Sequence, residues 1–163
     1  MKVIFLDVDG VLNSQRYKES GQFGAGASNL EFGRSQIDPE AVARLDRLID
    51  ATGARVVVSS SWRHFWSLDE IRNMLAERGL RNIDALMDIT PSMLSDRGSE
   101  IGQWLGIMDE ARRYGGDDVE AFVILDDDTD FDERDMFSHL VRVNPDVGLT
   151  DDDVRRAVQI LEM

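Results

Sequence analysis

Two aspartates, Asp7 and Asp9, close the apolar run Phe5-Leu6-Asp7-Val8-Asp9-Gly10-Val11-Leu12-Asn13, a spacing suited to phosphate and proton-transfer chemistry. In an extended chain alternate side chains share a face, so both carboxylates point into one site where the strand runs out into a loop. Carboxylates this close are not comfortably both charged without a cation or a shared proton. A Mg²⁺ ion at Asp7 would relieve the repulsion and leave Asp9 free to carry a proton to or from a substrate. Gly10 lets the backbone turn close to a ligand. Asp and Gly are also common turn formers, so the motif by itself would suit a plain strand-to-turn junction nearly as well.

Two further clusters sit at strand ends and shift that balance toward function. Val58-Ser59-Ser60-Ser61-Trp62-Arg63 follows an apolar strand and offers hydroxyls, Ser59 first and Ser60 beside it, to a phosphoryl oxygen, with Arg63 adding a charge-assisted contact. A serine nucleophile with His64 as base is disfavoured, because no oxyanion loop or orienting acid accompanies it. Trp62 and Trp66 could stack a base or line the site; packing in the core or at the rim is the favoured role of Trp66. The other cluster, Ile124-Leu125-Asp126-Asp127-Asp128-Thr129-Asp130, can complete a Mg²⁺ shell through Asp126 first and Asp127 next, with Asp128 and Asp130 better suited to solvated or capping roles. An EF-hand is excluded, since Phe131 and Phe137 stand where that loop needs glycine and glutamate. Phosphate chemistry also needs a cation against the developing charge, and Arg97, just before a helix, fits best.

The elements that must position these groups alternate between strand and helix. Lys2 to Leu6, Arg55 to Val58 and Ala121 to Leu125 read as buried strands, with further strands within Ile83 to Ile89 and at Leu140 to Val143. Helices are expected after Asp38-Pro39 up to Gly53, after the Ser67/Glu70 capping box up to Gly79, from about Gly98, and after Thr150. Ser14 to Gln36, rich in Gly, Ser and Asn with scattered Phe23, Leu30 and Phe32, reads as a long loop or small flap, a type of segment that is usually functional. The pattern predicts one doubly wound, Rossmann-like α/β domain over 1–163 with a parallel sheet and at most a minimal cap. Ligands in such folds lie beyond the carboxyl ends of the strands, where the polar clusters fall.

With 163 residues the chain suffices for one domain, and no apolar run approaches the ~20 residues needed to span a bilayer. The start lacks the marks of a signal peptide, so a cytoplasmic location is expected. The absence of cysteine excludes thiolate nucleophiles and thiolate metal sites, so a metal must sit on oxygen or the two histidines, and oxygen ligands favour Mg²⁺. A net charge of −14 argues against a generally basic nucleic-acid surface without excluding a local basic mouth. Of the 18 basic residues only Lys2 and Lys18 are lysines, so phosphate contacts would fall mainly to arginine.

In this order, DxDGV at Asp7 to Val11, the strand ending in Ser59, the basic Arg97 and the strand ending in Asp126-Asp127 resemble the haloacid dehalogenase (HAD) superfamily over nearly the whole chain. The resemblance implies that Asp7 is nucleophile and Mg²⁺ ligand, that Asp9 is general acid and then base with its backbone carbonyl as a second metal ligand, and that Ser59 and Arg97 hold the phosphoryl group. It also implies that Asp126-Asp127 complete the metal site. Lysine is usual at the third element; Arg97 stands here, with Lys18 as the substitute. More narrowly, SSSWR, Arg97 to Ile101 with Trp104-Leu105, ILDDD and Gly148-Leu149-Thr150 resemble the small HAD domains associated with RNA-repair proteins, which are similar to polynucleotide 3′-phosphatases. By that likeness Arg16 and Arg63 would hold a nucleic-acid end.

The leading expectation is a Mg²⁺-dependent phosphomonoesterase acting through an aspartyl-phosphate. A nucleic-acid 3′-end and a small phosphorylated metabolite or nucleotide compete as substrate on nearly even terms. Acidity counts against the first and the missing cap against the second, and a phosphoprotein stays open. A non-catalytic binding module would predict the loss of an essential residue, yet Asp7, Asp9, Ser59 and Asp126 are all present.

Overall fold

Short apolar runs form the strands β1 (Lys2–Leu6), β2 (Arg55–Val58), β3 (Leu86–Ile89), β4 (Ala121–Asp126) and β5 (Leu140–Arg142). The computed structural model describes residues 1–20, 29–93, 95–128, 131 and 134–163. In it the strands make one all-parallel sheet in the order β3-β2-β1-β4-β5. The expected doubly wound α/β architecture is therefore present. β1 lies at the centre, with Leu6 opposite Val58 of β2 on one side and Leu125 of β4 on the other.

The two-residue period of the strands divides the core between the two faces of the sheet. Ile4, Leu6, Val56, Val58 and Leu125 join one cluster with the apolar stripes of α3 (Pro39–Thr52), α4 (Leu68–Glu77) and α7 (Asp151–Glu162). Val3, Phe5, Val57 and Ile124 join the other with Ile101 and Trp104 of α5 (Arg97–Arg112). The Phe5 ring meets Trp104 edge-on at 5.4 Å, and the Trp104 indole donates to Asp88 of β3 at 2.8 Å. Burial on both faces explains why β1 is a run of apolar residues without alternation.

Helix ends fall close to the expected signals. Asp38 caps α3 with Pro39 in the first turn, and left-handed Gly53 closes it. Ser67 and Glu70 form the capping box of α4, and Thr150 caps α7. Among the boundaries that move, the third strand starts at Leu86, because Ile83–Ala85 makes a 3-10 turn, and α5 starts at Arg97, because Asp96 accepts from the Ser99 backbone at 2.8 Å.

The segment 14–36, expected to be a long loop or small flap, is not loop throughout. Its described residues form two short helices, α1 (Gln15–Glu19) and α2 (Asn29–Ser35); Phe23 lies outside the described residues. Helices this short draw their stability from tertiary contacts rather than propensity. Arg78, at the end of α4, supplies them: its guanidinium donates to the Tyr17 hydroxyl at 2.7 Å and to the Arg34 and Ser35 carbonyls at 2.9 and 3.2 Å. Gly33 lets α2 approach closely, since a Cβ there would lie 2.9 Å from Trp66 Cζ2 and 3.0 Å from Met74 Sδ. The remaining short helix, α6 (Arg134–Phe137), contributes Met136 to the α5-side core.

Candidate active site

The register that pairs Leu6 with Val58 and Leu125 brings the next residues, Asp7, Ser59 and Asp126, to adjacent strand ends. Backbone bonds continue the ladder there, from Asp7 N to Leu125 O and from Ser59 N to Leu6 O, both 3.0 Å. By the same alternation these three follow Phe5, Val57 and Ile124 onto the α5 face of the sheet. Arg97 opens α5 above them. Its Nη1 lies 3.1 Å from Asp7 Oδ2 and 2.5 Å from Asp126 Oδ2. The order of strands reverses between β1 and β4, which is where ligands settle in open α/β sheets.

Charge in this pocket is unbalanced. Asp7, Asp126 and Asp127 each offer a carboxylate oxygen within 4.8 Å of the others. Burial, and then the neighbouring Asp126, push the Asp7 carboxyl up to about 8, with Arg97 opposing. Burial likewise raises Asp126, against Arg97 and a 2.9 Å bond from the Asp128 amide. Burial works against the Arg97 charge, but the two carboxylates outweigh it and hold the guanidinium protonated. Asp127 folds over Gly10, where a Cβ would meet its carboxylate at 2.5 Å. Gly10 also has φ of 82°, so close approach and left-handed backbone both call for glycine.

Asp9 stands apart from that cluster and is exposed. Asn13 Nδ2 and Trp62 Nε1 both donate to its Oδ1, at 2.9 and 3.0 Å. Asn13 is set in turn by the Gly10 amide, which donates to its side-chain carbonyl at 2.9 Å. Neither Asn13 nor Trp62 was assigned to Asp9 from sequence. Asn13, four residues after Asp9 across a glycine turn, was open to inference; the link to Trp62 spans 53 residues and has no local signal.

The Ser59 hydroxyl is buried and has no hydrogen-bond partner among the described residues. Ser60 uses its oxygen to cap the 3-10 turn Ser61–His64 by accepting from Trp62 N at 3.1 Å. Arg63, expected to reach the substrate, turns inward instead. It donates to the Ser59 and Ser60 carbonyls at 3.0 and 2.7 Å and pairs with Glu100 of α5 at 2.7 Å, buried on both sides. Glu100 also accepts from Met93 N at 2.8 Å, so the pair ties the Ser59 loop to the segment before α5. Arg16, the other expected substrate contact, lines a different cleft with Tyr17, Asp38 and Arg44. Lys18 lies on α1 and is exposed; Asp128 is exposed as well, and Asp130 is outside the described residues. His64 has Ser92 as its neighbour, at 3.5 Å.

A parallel sheet in this strand order, with helices on both faces, is HAD-like in fold. The sequence matches the family described as "HAD domain in Swiss Army Knife RNA repair proteins" over residues 3–154, and the chain belongs to it. No curated protein and no solved structure matches the chain. Membership supports a hydrolase of the phosphatase type. Among the described residues, no helix is long and apolar enough to cross a membrane.

Proposed function

We propose that the protein is a phosphomonoesterase that forms an aspartyl-phosphate at Asp7 and works with Mg²⁺. The observation that carries this reading is Arg97 lying between Asp7 and Asp126 at the strand ends, beside the unpartnered Ser59 hydroxyl. An oxygen of Asp7 attacks phosphorus while Asp9 gives its proton to the leaving alcohol. Water then attacks the acyl-phosphate, and Asp9 takes the proton back. Ser59 donates to a phosphoryl oxygen, and Arg97 offsets the charge that grows on the group in transfer.

The residues present fit a hard cation. Asp7, Asp126 and Asp127 supply only oxygen, converge within 4.8 Å and lack enough positive charge of their own. They would hold Mg²⁺ together with the Asp9 carbonyl, and the ion would supply charge neutralisation that lets an anionic carboxylate approach an anionic phosphate. The RNA-repair proteins named in the family description support a phosphorylated nucleic-acid end as substrate. The net charge of −14 favours a second reading, a small phosphorylated metabolite or nucleotide.

Phosphate release should be measured with and without Mg²⁺ on an aryl phosphate, nucleoside 3′- and 5′-monophosphates and oligonucleotides ending in 3′-phosphate. Asp7→Asn serves as the control. Preference for the oligonucleotide supports end repair. Activity confined to the small esters supports the second reading, and no release from any of them rejects the enzyme.

A further inference from the structure

Beside Asp9 a groove of about 480 Å³ opens, and its wall is mostly apolar, with four aromatic rings. Trp62, Phe65 and Trp66 form one side, with Leu30 and Phe32 of α2 completing it. The Trp62 and Trp66 rings lie 4.7 Å apart, tilted by 44°, and Phe65 continues the row at 5.9 Å from Trp66. Phe65 is 74% exposed, and Leu30 and Phe32 are exposed as well. Large apolar side chains grouped around one cleft, rather than scattered singly, mark a binding surface.

Asp9 is one of the residues lining this groove, and its carboxylate accepts from the edge of the Trp62 indole. On the proposed chemistry Asp9 protonates the leaving oxygen, so whatever carries that oxygen projects into the groove. Among the described residues that line it there is no arginine or lysine, and the charged ones are Asp9 and Glu70. A leaving group with further phosphates near the scissile bond would meet two carboxylates and no cation. A bare sugar or polyol would leave five apolar side chains without a matching surface. An uncharged flat ring on the leaving alcohol satisfies both constraints, and the volume lies within the range of small-molecule sites.

We propose that the groove is the leaving-group subsite and takes the nucleobase of a nucleoside phosphate, stacked on the Phe65–Trp66 row, with the phosphate reaching back past Asp9 to Asp7. The proposal rests on the phosphomonoesterase reading and adds the class of its substrate. The base could belong to a free nucleotide or to the terminal residue of a strand. Stacking is tolerant of base identity, because every base presents a π-face.

The test compares kcat/KM for substrates that differ in the base. Adenosine 3′-monophosphate is set against glycerol 2-phosphate, and an oligonucleotide ending in a normal 3′-phosphorylated nucleotide against one ending in an abasic 3′-phosphate. The base-bearing member of at least one pair should be favoured by about tenfold or more. Phe65→Ala should raise its KM more than it lowers kcat and bring the ratio close to one, whereas Phe65→Tyr should keep the preference. A ratio near one in the native protein, or a preference unchanged in Phe65→Ala, overturns the stacking subsite while leaving the phosphatase reading intact. Tryptophan fluorescence of Asp7→Asn, titrated with adenosine 3′-monophosphate and with glycerol 2-phosphate, reports the same subsite without turnover. Saturable quenching by the nucleotide alone, lost in Asp7→Asn/Phe65→Ala, supports it even if no phosphate is released, a result that would reject the enzyme and not the groove. Equal or absent quenching by both overturns the groove.

Discussion

Arg97 and Arg63 stand on neighbouring walls of the same site, and their surroundings are opposites. Arg63 is buried against Glu100, one cation to one anion, with further bonds to the Ser59 and Ser60 carbonyls. Arg97 faces Asp7 and Asp126 together, with Asp127 close by, and the carboxylates outnumber it. The balanced pair fixes backbone and adds no net charge to the site. Burial, and then the neighbouring carboxylates, raise the Asp7 carboxyl to about 8, and the unbalanced cluster is at ease only with more positive charge or a proton. Composition alone does not separate the two arginines; the count of carboxylates around each one does.

The sharpest way to break the contrast is Asp7→Asn. Phosphate release should fall to background while the circular dichroism spectrum stays native, and undiminished turnover would end the covalent mechanism. Asp9→Asn should slow release by about 10²–10⁴-fold, the usual worth of a positioned proton donor, with substrate binding little changed. On the balanced side, Glu100→Ala leaves Arg63 buried and unpaired and should lower unfolding stability by about 3–5 kcal/mol in urea titrations. Replacing both partners, as Arg63→Met/Glu100→Leu, should recover much of that loss. If the single variant is as stable as the native protein, Arg63 is not held in the way described. A smaller effect is expected of Trp62→Phe, which keeps the ring but removes one of two donors to Asp9; the rate should drop about tenfold, in line with one hydrogen bond to a charged group.

The mildest test is the pH dependence of the metal-free protein. The Asp7 carboxyl rises from 3.8 in the unfolded chain to about 8 in the fold, so the fold binds a proton that the unfolded chain has released between those values. The stability this group contributes is full below the lower value and is lost as pH rises through the upper one. The melting temperature should therefore be higher at pH 5.5 than at pH 8. Asp7→Asn should reduce that difference, and added Mg²⁺ should raise the pH 8 value. A difference of the same size in Asp7→Asn would assign it to other groups.

Much of the site was legible because strand periodicity and first-polar-residue positions are local signals. Asp7, Ser59 and Asp126 each end an apolar run, and the helix before Gly53 announced itself through Asp38 and Pro39. What stayed hidden depends on contacts between distant residues. Trp62 reaches Asp9 across 53 positions, and Arg78 reaches Tyr17 across 61. Arg63 read as a substrate contact because an arginine after a serine run resembles an anion site; Glu100, which turns it inward, lies on another element. The described part of 14–36 read as loop because its Gly and Ser content is poor in helix propensity, while the anchoring guanidinium comes from the far end of α4.

Gly33 of α2 packs against one wall of the aromatic groove. Alanine would suit a helix better by about 1 kcal/mol, yet the extra methyl would press on the Trp66 ring and Met74 at about 3 Å. Trp66 lines the slot beside Asp9 and Gly33 does not, so one missing carbon lets the helix that carries Leu30 and Phe32 close on a ring of the wall.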